Sequence, residues 1–514
     1  MNDSLQENDH NSVVGTAETR GLIVYLPHDA RQQDIIERVE RYVATGFNFL
    51  VLKVFYNGRV LFPSRAWAEL AGLSERQLAR MSDPVSMFLE IAGIHGLSVY
   101  AGFEVFEQTH SRAQPNKLLQ EKPEWFFPEN WTPARAVNEQ EASADEPRTL
   151  VWLSPFDREA RRFLGALTVE VLEAYPFEGI YLDQMTLPSA LPETPDDYQT
   201  NQLLKRWGEK PPTPSSDPAE ATTLPDPNNE TNENLSTPSS PEAKWNQWLE
   251  KKLLGFCHYL RQRLYKVRPH LIMMTSVTQL RAAPNEPALS VSKLETDNPA
   301  AALPQSTDRV EVYWKDSLDQ LVEIIAPRFT IRGKAELANL AQALDFMGEE
   351  SPVLPILRIR DPELYEKPFH QIRDSSVLGF MIDTGRPLLE KQWAFFADLF
   401  DQAATPTHVE PADAVQLIIE ETTEALSPDH PIAAVLGELF KAQRSAEEGS
   451  QEADVRMSVI NNLLGLIKSI DDGKVEFDTP EAAANCKMNI GLLIRLESML
   501  HSRGQLLRAT PYFS

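Results

Sequence analysis

Eight short runs rich in Val, Ile, Leu and Tyr recur between Leu22 and Asp383, and this repetition constrains the fold more than any other feature of the chain. They are Leu22–Leu26, Phe49–Phe55, Leu97–Phe103, Gly179–Asp183, Leu271–Val277, Val310–Trp314, Val353–Ile359 and Leu378–Asp383. Each is nearly continuous in its apolarity, as expected of a parallel strand buried on both faces. Between the runs the period changes. Ile35, Val39, Tyr42 and Val43 fall at helical spacing, as do Phe163, Leu164, Leu167, Val171 and Leu172. Strands alternating with helices predict a parallel sheet wrapped by helices, and a count of eight predicts an α/β fold of the closed (β/α)8 TIM-barrel type. A doubly wound open sheet is the alternative; it would normally carry a glycine-rich phosphate turn after the first strand, and the segment LIVYLPHDAR has none.

Proline outnumbers glycine, 38 to 22, which reverses ordinary usage and points to an insertion. Residues Glu209–Pro241 contain eight prolines and no aromatic residue, so they are expected to form a disordered loop emerging beside the barrel mouth. A smaller polar insertion is expected at Asn138–Arg148. Residues 1–19 read as a disordered leader, residues 20–404 as the barrel and residues 405–514 as an all-α appendage. Pro411, Pro431 and Pro480 suit first helical turns and Asp454 an N-cap, which predicts four helices there. In the third, Val455, Val459, Leu463, Ile467 and Ile470 mark one apolar stripe.

Charge narrows the partners. With 49 basic and 75 acidic residues the formal net charge is -26, which repels phosphate backbones and anionic membrane surfaces. Nucleic acid is excluded as a natural partner, and no apolar run is long enough for a membrane span. The N-terminus lacks the features of a secretory signal, so a cytoplasmic location is expected. Cys257 and Cys486 lie far apart and read as small buried hydrophobes, neither a disulfide framework nor a zinc site. No His-x-x-x-His spacing occurs, and neither a metal nor a cofactor is expected.

Barrel active sites form at the C-terminal ends of the strands. The predicted ends supply His28, Lys53, Tyr56, Glu104, Glu107, Asp183, Ser276, Thr278, Glu311, Tyr313, Trp314, Arg358, Arg360 and Asp383. Carboxylates and aromatic rings predominate, a mixture that suits carbohydrate: rings stack on the apolar faces of sugars while carboxylates bond hydroxyls and run acid/base chemistry. The stretch VWLSPFDREARRFLGALTVEVLEAYPFEGIYLDQMTLPS (Val151–Ser189) resembles the signature of the glycoside hydrolase-like family 10 proteins, which ends in Asp-Gly-Ile-His-Phe-Asp-Asp-Tyr and a Pro. KWNQWLEKKLLGFCHYLRQRLYKVRPHLIMMTSV and DRVEVYWKD are similar to that family's long helix with its fifth strand and to its sixth strand, and the resemblance runs over most of Arg20–Gln402.

The resemblance implies a TIM-barrel glycosidase or a relative of one. Asp183 matches the first Asp of the Asp-Asp pair, Gln184 replaces the second, Tyr181 replaces the His, Glu311 stands for a Gln, and Ser154 stands for the Asn before Pro155. Two readings stay open. In the first, a glycosidic bond is cleaved with Asp183 as nucleophile or base and Glu311, or failing that Glu104, as proton donor; Trp152, Tyr181, Tyr313, Trp314, Arg358 and Asp383 are the candidate substrate contacts. In the second, the barrel binds a saccharide or a protein without catalysis, with the C-terminal helices as a docking module that could be deleted after Thr405 without unfolding the barrel. The bland alternatives are a loop-anchoring role for Asp183, an ion pair with a buried base for Glu311, a solvated loop for Glu104 and Glu107, core packing for the aromatic residues, and an Asp383–Arg358 ion pair.

Overall fold

The computed structural model describes residues 16–110, 115–128, 149–183, 185–187, 204–205, 241–277, 279–280, 289–290, 310–311, 321–331, 344, 351–359, 366–373, 375–384, 388–400, 402–409, 411–426, 430–447 and 452–509. The expected insertions Glu209–Pro241 (up to residue 240) and Asn138–Arg148 lie outside them. Eight parallel strands form the centre: β1 (Thr19–Val24), β2 (Phe49–Tyr56), β3 (Ser98–Glu104), β4 (Gly179–Asp183), β5 (Ile272–Val277), β6 (Ile324–Ile331), β7 (Ile356–Ile359) and β8 (Gly379–Ile382). Each pairs with its neighbours in chain order, and β8 pairs β1 while β1 pairs β2, so the sheet closes on itself. The helices α1 (Gln32–Thr45), α2 (Pro84–Ile94), α3 (Arg158–Ala174), α4 (Pro241–Val267), α5 (Glu366–Arg373) and α6 (Glu390–Leu399) belong to the connections. This is the predicted (β/α)8 barrel.

Seven of the eight apolar runs overlap barrel strands, and the sixth does not. Val310–Glu311 instead pairs antiparallel with Thr186–Leu187, outside the barrel. The sixth staves position is taken by Ile324–Ile331, which pairs in parallel with β5 and β7. Pro327 interrupts that run in sequence, and proline inside an apolar stretch argues against a central strand because it removes a ladder N–H. VEVYW is uninterrupted, and so it looked the better strand.

Local signals set the helix ends. Asp157 caps α3, its Oδ1 accepting the backbone N–H groups of Glu159 and Ala160 at 2.8 and 2.9 Å. Gly46 ends α1 in the left-handed region at φ 94°, its N–H directed to the carbonyls of Tyr42 and Val43. A Cβ at that position would come within 2.8 Å of Phe400, so glycine is required by packing as well as by backbone.

Two apolar cores result. The outer one lies between strands and helices and includes Leu22, Leu50, Leu182, Met273 and the helix residues Ile35, Val39 and Leu167. The inner one fills the barrel with Ile23, Phe49, Val51, Tyr100, Tyr181, Met274, Ile324 and Met381, and it continues into four C-terminal helices. These are α7 (Pro411–Glu424), α8 (Pro431–Glu447), α9 (Glu452–Asp471) and α10 (Pro480–Ala509). Of the predicted α9 stripe, Val459, Leu463 and Ile467 are buried in this core, with Val455 and Ile470 packed against it.

The junction lies at the N-terminal ends of the strands. Thr16–Ala17 pairs in parallel with Ala404–Thr405, just before β1 and just before α7. His408, completely buried, bonds Thr19 Oγ1 through Nδ1 at 2.9 Å, and the Phe49 and Tyr100 rings meet it edge to face at centroid distances of 4.5 and 5.4 Å. Arg495 of α10 donates to the Ser351 carbonyl ahead of β7. The helices therefore plug the end of the barrel opposite the expected site.

Candidate functional site

Side chains alternate along a strand, so the residues that follow the inner-core positions by two also face the lumen. This places Tyr25, Lys53, Glu104, Asp183, Ser276, Arg328, Arg358 and Asp383 in the C-terminal halves of β1 to β8 or just beyond them, in order, one from each strand. Below them the lumen is apolar, and at this level it turns polar and charged.

Asp183 is the hub. Its Oδ1 accepts Ser276 Oγ at 2.7 Å, Tyr181 Oη at 3.0 Å and Arg328 Nη2 at 2.8 Å. Its Oδ2 accepts Arg328 Nη2 at 2.7 Å and the Lys53 ammonium. Arg328 also donates through Nη1 to Asp383 and through Nη2 to Tyr181 Oη at 3.0 Å. Lys53 and Asp183 are at most 1% exposed, so these charges are held by one another and not by water. Burial alone would raise the Asp183 carboxyl, but Arg328 and then Lys53 overrule it and hold it well below the usual carboxylate range. Burial likewise opposes ionisation of Asp383, and Arg328 and Arg358 reverse the balance and lower it.

Glu104 behaves in the opposite sense. It is the register partner of Asp183 across β3 and β4, which are paired in parallel. Adjacent strands lie about 4.8 Å apart, so the two side chains leave the sheet at one level and on one side. Burial pushes the Glu104 carboxyl up to about 7, against the pull of Lys53 and of the Asn57 N–H, with Asp183 and Asp383 adding to the rise. Tyr25 and Tyr56, packed edge to face at 5.6 Å, border this side of the lumen. Burial, then the charges of Asp383, Glu104 and Asp183, raises the Tyr25 hydroxyl well above its ordinary value, so it remains a neutral donor.

The structure thus brings together Asp183, Glu104, Tyr181, Asp383 and Arg358 of the predicted set. Tyr181 is buried beneath Asp183 and presents its hydroxyl to that carboxylate. Trp152 stands apart: it is 1% exposed, within the outer core, and its indole N–H donates to Thr186 Oγ1 at 3.2 Å, so neither ring face is open to a ligand. The backbone of Glu311 lies in the ribbon with Thr186, and the side chain of Glu311 as well as Tyr313 and Trp314 lie outside the described part of the chain. Asp383 takes Arg328 as its hydrogen-bonded partner, with Arg358 adding to the field around it.

Arg328 is the residue that sequence reasoning missed. It sits on the strand that Pro327 concealed; an apolar run interrupted by Pro-Arg between Trp314 and Val353 was the available signal. Lys53 and Ser276 were recognisable as strand ends, but nothing in the sequence paired them with Asp183. Among the described residues no group of three or more His, Cys, Asp or Glu stands where it could hold a metal ion. A cavity of about 430 Å³ lies between β1 and the helices α1 and α6, lined by Leu22, Val24, Tyr25, Arg38, Tyr42 and Trp393.

A closed barrel of eight parallel strands with helices in its connections is a TIM barrel. The chain belongs to the family described as glycosyl hydrolase-like 10, whose model matches residues 17–319. That match spans β1 to β5 and stops short of the strands carrying Arg328, Arg358 and Asp383. No curated protein matches the chain. Among solved structures, the α-L-fucosidase isoenzyme 2 of Paenibacillus thiaminolyticus is similar with 11% identity over 78% of this chain and a TM-score of 0.43; the present chain covers 50%, about half, of that protein. The catalytic domain of the β-amylase of Paenibacillus polymyxa is similar with 10% identity over 79% of this chain and 99% of its own, TM-score 0.43. The β-galactosidase of Rahnella sp. R3 is similar with 10% identity over 76% of this chain and 56% of its own, TM-score 0.43. No helix among the described residues is long and apolar enough to cross a membrane.

Proposed function

We propose that this protein is a glycoside hydrolase that cleaves a glycosidic bond in an oligo- or polysaccharide, with Glu104 as proton donor and Asp183 as the ionised carboxylate. One observation carries the reading: two carboxyl groups side by side in register are driven apart in acidity, Glu104 up to about 7 and Asp183 far down. Paired carboxyls with divergent pKa values are how one site supplies both an acid and an anion near neutral pH. Glu104 would protonate the leaving oxygen, and the Asp183 anion would face the positive charge developing at the anomeric carbon. Lys53 and Arg328 keep Asp183 ionised and fix its orientation. Glu104, once deprotonated, would take the proton from water. The stereochemical outcome follows carboxyl separation, about 5 to 5.5 Å for retention and about 6.5 to 9.5 Å for inversion.

A second reading, a barrel that holds saccharide without cleaving it, rests on a separate observation: both oxygens of Asp183 are already engaged, by Lys53, Arg328, Tyr181 and Ser276. A carboxylate so stabilised is a weak nucleophile and base. The discriminating experiment is reducing-end release and binding across a panel of oligosaccharides for wild type, Glu104→Gln and Asp183→Asn. Release by wild type and its loss in both variants supports hydrolysis. Binding by all three without release supports the second reading, and release undiminished in Glu104→Gln overturns the assignment of the donor.

A further inference from the structure

We propose that Asn57 is a positioning residue for Glu104: its left-handed turn, locked from outside by Thr109 and Asn116, holds a backbone N–H on the Glu104 carboxyl and fixes the direction in which that acid faces. The inference rests on the reading of Glu104 as proton donor. Tyr56 and Arg59 pair antiparallel, leaving Asn57 and Gly58 as a two-residue hairpin turn. Both have positive φ, 51° and 64°, the combination that Asn-Gly supplies in a type I′ turn. Among the described residues Asn57 is the only non-glycine with positive φ.

That conformation aims the Asn57 N–H at Glu104 Oε2, 3.0 Å away. The side chain of Asn57 is held as well, its Oδ1 accepting the hydroxyl of Thr109. Thr109 lies on the strand Glu107–His110, which continues the chain from Glu104 and pairs with Thr149–Trp152. Asn116 completes the lock. Its Nδ2 donates to Gln108 Oε1 at 2.7 Å, its Oδ1 caps the helix Lys117–Glu121, and a Cβ on Gly58 would collide with it. Leu118 donates to the Gly58 carbonyl at 3.1 Å. Glu104, the turn and the segment after Glu104 therefore form a closed ring of hydrogen bonds. A hairpin needed only to join strands has no use for a side-chain tether to Thr109, whereas a hairpin that must aim one N–H does.

A donor on the ionised form of a carboxyl favours that form, so releasing the turn raises the proton affinity of Glu104. The test uses the full chain with 13C-labelled glutamate carboxyls, the Glu104 signal being assigned by its loss in Glu104→Gln. In Thr109→Val and in Asn57→Gly, which keeps the N–H but drops the tether, the Glu104 midpoint is expected to rise by about one unit, the size of a hydrogen bond to a charged group. Thr109→Ser restores the hydroxyl and is expected to return the wild-type midpoint. An unchanged midpoint in both Thr109→Val and Asn57→Gly overturns the proposal, and Asn57→Gly alone decides it should Thr109→Val not fold. Turnover is not needed for this readout, so it stays separate from failure of the hydrolase reading, which shows as undiminished sugar release by Glu104→Gln.

Discussion

Arg328 and Asp183 form a two-oxygen pair inside the barrel, with Arg328 Nη2 at 2.8 Å from Oδ1 and 2.7 Å from Oδ2 of Asp183. The same guanidinium reaches Asp383 through its other nitrogen. Removing it leaves two buried carboxylates facing each other. Arg328→Met is expected to cost about 3–5 kcal/mol of stability, the usual consequence of stranding a buried charge. Arg328→Lys keeps the charge but cannot hold both carboxylates in one plane and should recover only part of the loss. Denaturant midpoints of the two variants check this; a wild-type midpoint for Arg328→Met would show that the pair does not hold the site together.

The acidity of the two register partners sets a pH profile. Glu104 must be protonated to donate, so kcat/KM should fall by about tenfold per unit above pH 7. Asp183 stays ionised far below that, so no matching acid limb is expected until well under pH 4. For stability the signs are opposed. Glu104, raised in the fold, contributes stability that is present below its unfolded value and lost as pH rises through about 7; Asp183, depressed, contributes stability that is present above its unfolded value and lost as pH falls through its folded one. Rate measurements from pH 4 to 9 would expose a bell centred near neutrality, which is incompatible with these assignments.

Trp152 packs in the outer core and not at the mouth. Trp152→Phe should therefore lower stability by about 1–2 kcal/mol, through lost packing and the lost bond to Thr186, while leaving saccharide affinity unchanged. Thermal melts and binding isotherms of the same variant separate the two roles. A drop in affinity without a drop in Tm would reinstate Trp152 as a ligand platform.

His408 is neutral in the fold, burial having pushed its imidazole down to about 3. A His whose folded pKa is depressed contributes stability that is present above its unfolded value, about 6.5, and lost as pH falls toward the folded one. Wild type should therefore lose stability between pH 6.5 and 4 more steeply than His408→Gln. Parallel slopes for the two proteins would rule out His408 as the acid-sensitive contact of the plug.

The C-terminal helices share one core with the barrel lumen, so a chain ending at Thr405 uncovers Phe49 and Tyr100 at the barrel base. Such a truncation is expected to aggregate or to melt without cooperativity. Recovery of a monomeric, cooperatively melting barrel would restore the picture of a detachable docking module.

Most of the architecture was legible because buried parallel strands write continuous apolar runs and their helices write a second period. The sixth strand was not, because Pro327 breaks its run while Val310–Trp314 offers an unbroken one. The same substitution of one run for another hid Arg328, and with it the partner that fixes Asp183. Asp183 and Glu104 were visible as strand ends, yet their adjacency depends on a register that no local pattern encodes. Trp152 was misplaced for a related reason: a strand shows that a ring alternates sides but not whether another layer covers it.

The plug at the barrel base also dictates an order of assembly during synthesis. The first barrel strand is made well before its partner β8, which ends at Ile382, and α10, whose Ile490, Leu493 and Ile494 complete the inner core, comes later still, at Pro480–Ala509. The barrel interior is therefore sealed only once α10 has been made and has docked, and until then the chain carries an open apolar base that must be kept from its neighbours.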